Sequence, residues 1–356
     1  MVRWVPRVLV ALLLLAVTAV ELQQARPRAE YHQLVPDVVY DDPGPVLERL
    51  GRERGRYVSI AWDKPRTAAE RDLIEVPEGW PSRMGNYYLI SWPRRLAARP
   101  AWEYATNAET ISGRDGGLMP LRTYQEFFTA AVSAEGQLTA GVNLAPPSRW
   151  GWPALDLLGV RWFVTPGLPP AEAAVLRKQG FRQVDRVAYY LVWERPAPPR
   201  ARMYYDLDVI ADPAQRVARL RGGYPLLERA IVEQPLGELT QPRTPPAVEI
   251  RNTAQTRVEV EAQTAADGLL VLADPWYPQW QVTVDGRPAE LLRVDHALRG
   301  VRVPAGSHRV VFTYEDRALQ VGLVISAVSV LGLAGLWLWR RRRRPDHAPA
   351  AEPAEQ

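Results

Sequence analysis

Three groups of residues have types and spacings that could carry chemistry. Asp206, Leu207 and Asp208 spell DxD, a spacing at which two carboxylates can share a divalent cation with a sugar nucleotide. No nucleotide-binding βαβ series surrounds the motif, so a solvated strand end is the competing reading. Trp276, Tyr277 and Trp280 could stack on sugar rings. Trp280 alternates in phase with Val282 and Val284, which assigns it to a core and leaves Tyr277 as the exposed ligand contact. Trp150 and Trp152, with Trp162 nearby, form a second aromatic group beside Gly151 and Pro153. Trp150 and Trp152 are candidates for a glycan platform, with ordinary core packing as the alternative.

Much other chemistry is excluded. The chain has no cysteine, which removes disulfides, iron–sulfur clusters, Cys-ligated zinc and a thiol nucleophile. Its histidines, at 32, 296, 308 and 347, are too dispersed for a His-rich metal site, and His308 reads as structural. There is no GxSxG, HExxH, phosphate-binding loop or dinucleotide fingerprint. The sequence therefore assigns no catalytic residue and no cofactor, with Asp206 and Asp208 the one pair that could hold a metal.

Charge describes topology rather than a binding face. The first twenty residues carry Arg3 and Arg7 and no acid, and five arginines at 340–344 face Asp346, Glu352 and Glu355 at the other end. The stretch between is neutral, which argues against a nucleic-acid partner. Residues 318–339 contain no charge and, as a helix, span roughly 33 Å, enough for a bilayer core of roughly 30 Å. Trp337 and Trp339 sit where an interfacial belt would, and the arginine run that follows predicts a cytoplasmic C-terminal tail. Residues 8–20 are also apolar. They read as an uncleaved anchor within 1–22 or as a signal peptide, and both place the body outside the cytoplasm.

Between the ends, residues 23–235 read as an α+β domain with a mixed sheet. Helices are expected at 46–54, 121–133, 154–158, 171–179 and 213–220, and strands at 56–61, 86–92, 160–165, 181–195 and 203–210. A Pro-rich linker follows at 236–246. Seven short strands at 247–316, with Asp285-Gly286 as a hairpin tip, then read as a small all-β, immunoglobulin-like sandwich running into the helix at 318–339. The fold class expected is thus an α+β extracytoplasmic domain and a β-sandwich, flanked by two membrane helices, with a basic tail at 340–356.

The run Trp276, Tyr277, Pro278, Gln279, Trp280, then Val282, Val284, Asp285 and Gly286, then 299–308 (RGVRVPAGSH), Phe312 and Tyr314, resembles the C-terminal end of YfhO-type bacterial membrane proteins. The likeness continues through Gly322, Ile325 and Ser326, and upstream it touches 119–124 and 157–164. The resemblance implies a relative of large polytopic, GT-C-like glycosyltransferases that move sugars from lipid-linked donors onto envelope polymers. Two departures stand out. Only one apolar segment precedes the body, so no position matches the family's catalytic acid. Asp295-His296 also replaces the usual polar residue before the RGV stretch. The expectation is an accessory domain at the bilayer, split off or truncated from such a protein and lacking a catalytic centre. Its expected partners are the lipid bilayer, a polytopic glycosyltransferase-like protein, and a glycan or lipid-linked sugar. The alternative is an independent module binding glycan or lipid headgroups.

Overall fold

The structure, a computed structural model, describes residues 46, 49–50, 55–59, 108–110, 121–132, 146–187, 190–254 and 256–342. The expected segment at 1–22, the strand at 86–92 and the tail beyond 342 lie outside the described residues. A first sheet contains β1 (Gly55–Ser59), β2 (Ala108–Thr110), β3 (Val160–Pro166), β4 (Arg182–Val187) and β5 (Tyr190–Glu194), in the order β2-β1-β3-β5-β4. It is mixed: β1 runs parallel to β2 and β3, and β5 antiparallel to β3 and β4.

The helices that cover this sheet follow the expected periodicities. In α1 (Arg122–Phe127), which continues as a π-turn over Phe128–Val132, Tyr124, Phe127, Phe128 and Val132 are buried. α2 (Trp152–Leu157) stops at Gly159, whose φ of 72° only glycine adopts freely, before the chain enters β3. α3 (Pro170–Lys178) ends similarly at Gly180, and α4 (Pro213–Arg221) starts at Asp212, whose carboxylate caps the Gln215 amide at 2.7 Å.

The remaining strands are β6 (Ala201–Tyr204), β7 (Leu207–Val209), β8 (Ala230–Val232), β9 (Ala247–Ala254), β10 (Arg257–Thr264), β11 (Gly268–Pro275), β12 (Trp280–Val284), β13 (Arg287–Ala289), β14 (Leu292–Val294), β15 (Leu298–Val303) and β16 (Gly306–Tyr314). They form a six-stranded sheet, β6-β11-β15-β14-β8-β7, and a five-stranded sheet, β13-β12-β16-β10-β9. Val258, Val260, Val282, Val310 and Phe312 of the smaller sheet share one core with Ala201, Leu270, Leu272, Val301 and Val303 of the larger, so the two pack face to face. The sandwich is larger than the seven strands expected from 247–316. It also takes β6, β7 and β8 from before the Pro-rich segment, and the expected strand at 203–210 divides at Tyr205 and Asp206. Without β6, the edge of β11 would be bare.

β11 lies inside the molecule on both faces. Leu269, Val271 and Ala273 join the core that reaches the helices and Phe163 of the first sheet, whereas Leu270 and Leu272 join the sandwich core. This is why its sequence, GLLVLADP, is a continuous apolar run rather than an alternating one. Asp285-Gly286 forms the expected two-residue turn between β12 and β13, with φ of 52° and 77°. Trp280, expected in the core, is half-buried at its edge. β16 runs almost directly into α5 (Arg317–Arg342), whose window Gln320–Trp337 has a mean hydropathy of 1.8 and is not buried against the body.

One ion cluster joins the sheets. Asp274, at the end of β11, accepts from Arg56 on β1 and, at 2.8 Å, from Arg299 on β15, with Arg200 at 3.9 Å. Arg56 also donates to the carbonyls of Ala273 at 2.6 Å and Leu158 at 3.1 Å. Burial alone would raise the Asp274 pKa, but the three guanidiniums hold the carboxyl well below the usual carboxylate range. Its stabilising contribution is therefore present above the ordinary carboxylate pKa and is lost only as pH falls into strongly acid conditions. Asp274→Ala strands buried guanidinium charge and should cost about 3–5 kcal/mol in urea unfolding of the full chain in detergent, followed by tryptophan fluorescence.

Candidate functional site

The DxD carboxylates are held by guanidiniums. Asp206 accepts from Arg229 at 3.0 Å, and Asp208 lies 2.7 Å from Arg229 and 3.7 Å from Arg219. Behind them, the Tyr224 phenol is pushed up by burial and by the nearby Asp208 and Asp295 carboxyls, so it stays protonated. Among the described residues, no three His, Cys, Asp or Glu side chains gather around a common point.

The aromatic groups divide. Trp150 is only 5% exposed, and its ring meets Phe128 and Phe163 edge-on at centroid distances of 6.1 and 5.8 Å. Trp152 packs on Phe163 and Phe181 at 5.7 and 6.1 Å. This corrects the platform reading for Trp150: its surface is spent on core contacts with Phe128 and Phe163. Tyr277 sits differently. It is half-buried on the loop between β11 and β12, stacked on Tyr314 at 6.4 Å, and Trp280 meets the same tyrosine edge-on at 5.5 Å.

The aromatic group connects to the ion cluster. Arg299, with one side on Asp274, places its guanidinium 3.7 Å from the centroid of the Trp280 ring and 5.8 Å from that of Phe312. A continuous column thus runs from Arg56 through Asp274, Arg299, Trp280 and Tyr314 to Tyr277. It ends two residues before α5. Sequence reasoning missed Asp274, and the signal available was a lone acid closing an apolar strand.

A second missed group surrounds the β14–β15 turn. Asp295 and His296 have φ of 47° and 73°, and Ala297 N–H donates to Val294 O at 3.1 Å, the geometry that Asp285-Gly286 shows with a glycine. Here a buried network holds the histidine in place. Arg216 Nε donates toward His296 Nδ1 at 3.5 Å, and the other ring nitrogen meets Glu126 at 2.8 Å, which places the proton on Nε2. Arg216 and Arg293 both pair with Glu233, at 2.9 and 2.6 Å. Burial lowers the His296 pKa despite the Glu126 carboxylate, so the ring is neutral. Asp295 extends the sheet. Its N–H donates to Ile231 O and its Oδ1 accepts from Ile231 N–H, both at 2.8 Å, while buried Oδ2 has no hydrogen-bond partner among the described residues.

At the far end of the sandwich, His308 contacts Asp285 at 2.7 Å through Nδ1 and the Ala305 carbonyl at 3.2 Å through Nε2. Both partners are acceptors, so the ring carries two protons, and the hydrogen bond to Asp285 raises its pKa. The open groove of about 710 Å³ beside it is lined by Glu249, Arg251, Glu261, Asp285 and Arg309 among others. Arg251 pairs with Glu249 and Glu261, so much of the groove's charge is satisfied within the sheet surface.

The described residues form a β-rich protein with one helix long and apolar enough to cross a bilayer. The family described as bacterial membrane protein YfhO matches residues 241–326, from the Pro-rich segment through β9–β16 into α5. That stretch contains the 276–314 motif on which the likeness rests, and the resemblance to the YfhO type is borne out there; the segments at 119–124 and 157–164 lie upstream of it. No curated protein and no solved structure matches the chain.

The unpartnered Asp295 oxygen has a measurable consequence. Burial pushes the Asp295 pKa up to about 7, opposed only by the Ile231 N–H. The folded state therefore keeps a proton that the unfolded chain releases at roughly pH 4, and Asp295 disfavours folding progressively as pH rises from there to about 7. Asp295→Asn retains the acceptor for Ile231 and removes the titration. Its melting temperature relative to the parent should rise between pH 5 and pH 8, read by circular dichroism of the full chain in detergent.

Proposed function

We propose that the chain is a membrane-anchored accessory domain of cell-envelope glycan or polymer glycosylation. In this reading its body lies outside the cytoplasm beside a polytopic, YfhO-like glycosyltransferase-related protein, and it has no catalytic centre of its own. The observation that carries the reading is the direct passage of β16 into the exposed apolar helix α5, within the segment that matches the YfhO family. The arginines at 340–344 support a cytoplasmic C-terminal end. The guanidiniums on Asp206 and Asp208 support a structural role for that pair. A second reading, an independent module that binds glycan or lipid headgroups, is favoured by Tyr277, whose ring is partly open beside Tyr314.

Topology is tested with reporter fusions. Alkaline phosphatase inserted at Gly286 should be active, and the same enzyme fused after Arg344 should be inactive; the reverse pattern refutes the orientation. Chemistry is tested on the purified full chain in lipid nanodiscs, which should neither transfer nor hydrolyse sugar. Metal-dependent turnover of a nucleotide sugar that disappears with Asp206→Ala or Asp208→Ala would show that the DxD pair is catalytic.

A further inference from the structure

We infer that the end of the sandwich bearing Tyr277, Pro278, Trp280 and Tyr314 is immersed in the headgroup layer of the bilayer, so that the body docks on lipid instead of standing away from it. This rests on the reading of α5 as a membrane helix.

The length of chain available is the first argument. Tyr314 closes β16, and the first helical hydrogen bond, Gln320 N–H to Asp316 O at 3.1 Å, begins two residues later. Two residues reach at most about 7 Å when fully extended. Four helical residues from Asp316 to the start of the apolar window add about 6 Å. Tyr314 therefore lies within about 13 Å of the hydrocarbon edge, and the headgroup layer occupies roughly 5–7 Å of that interval. The body cannot rise further without breaking β16.

The second argument is that the β11–β12 loop is fastened at the same level. Glu315 N–H donates to Gln279 O at 3.0 Å, and Gln281 reaches the Glu315 carboxylate at 3.1 Å. Tyr277 and Trp280 both pack on Tyr314, and Pro278 is exposed at the loop tip. α5 does not fold back over this loop, since its apolar window is unburied and Leu331 is 71% exposed.

The chemistry of this end suits an interface. Tyrosine and tryptophan present an apolar body with a polar tip, the combination that headgroup layers favour. The opposite end, about 27 Å away along the nine residues of β16, carries Asp285, Gly286, Gly306 and Ser307, and the tyrosine near it, Tyr205, is buried against Thr264, the residue paired with Gly306. Glu315 and Asp316 follow β16, and Arg257 pairs with Thr313 on the neighbouring strand, so charge is mixed at the docked end. The surface it fits is a zwitterionic phospholipid, and docking should survive high salt.

The absence of cysteine makes the test direct. Single variants Pro278→Cys, Ser307→Cys and Leu331→Cys are labelled with an environment-sensitive fluorophore in the full chain and reconstituted into phosphatidylcholine nanodiscs. Nitroxide lipids labelled on the headgroup or on the acyl chain then act as quenchers. The expected result is strong quenching at 331 by the acyl-chain label, quenching at 278 by the headgroup label several-fold above that at 307, and no loss of the 278 signal at high salt. Quenching at 331 with equal, weak quenching at 278 and 307 overturns the docking while leaving the anchor intact. No quenching at 331 removes the anchor reading and the docking with it.

Discussion

The Asp274 carboxylate is the point at which the three sheets depend on one another. It lies at the end of β11, a strand packed into both cores, and it is reached from β1, 218 residues earlier, by Arg56. A buried carboxylate in isolation would take up a proton; surrounded by Arg56, Arg200 and Arg299, it stays ionised. Such clusters are weak sources of net stability, because desolvation offsets most of the attraction. Their use here is geometric. A guanidinium on Asp274 fixes where β1 meets β11, and a second fixes where the aromatic end of the sandwich meets β15.

The polar features show the same preference for position over reactivity. Asp295 completes a ladder that the turn would otherwise leave open, and His296 ties α1 and α4 to that turn through Glu126 and Arg216. The two groups respond to pH in opposite senses. Neutral His296 favours folding above the ordinary histidine range, and protonated Asp295 favours it below neutrality.

What could be read in the sequence was local. The Asp285-Gly286 turn, the alternation in β10, β12 and β16, the glycine stops of α2 and α3 and the apolar run of α5 all depend on neighbours within a few residues, and each was legible. The pairing of Ala201–Tyr204 with Leu269–Leu272 was not, because nothing within β6 specifies a partner some seventy residues away. The β14–β15 turn was hidden for a different reason. It has the backbone of a glycine turn but a histidine at the glycine position, and the network that holds it comes from three distant segments. Of the candidate site residues, Tyr277 kept a partly open face, whereas Trp150 was absorbed into packing that composition alone cannot distinguish from a platform.

The strand order of the six-stranded sheet also governs how the chain can fold as it emerges from its N-terminal end. When residues up to 246 have emerged, β6 and β8 exist as sequence but their partners β11 and β14 have not yet arrived. The apolar faces of α1, α2 and α4 then lack the Leu269, Val271 and Leu298 surface that closes their core. Long-range pairing of this kind is slow and leaves sticky intermediates. Completion waits for β16, the last strand, and α5 begins after only two intervening residues. Final closure of the sheets therefore comes only as the apolar helix emerges, and a chaperone would have its greatest effect in the interval just before it.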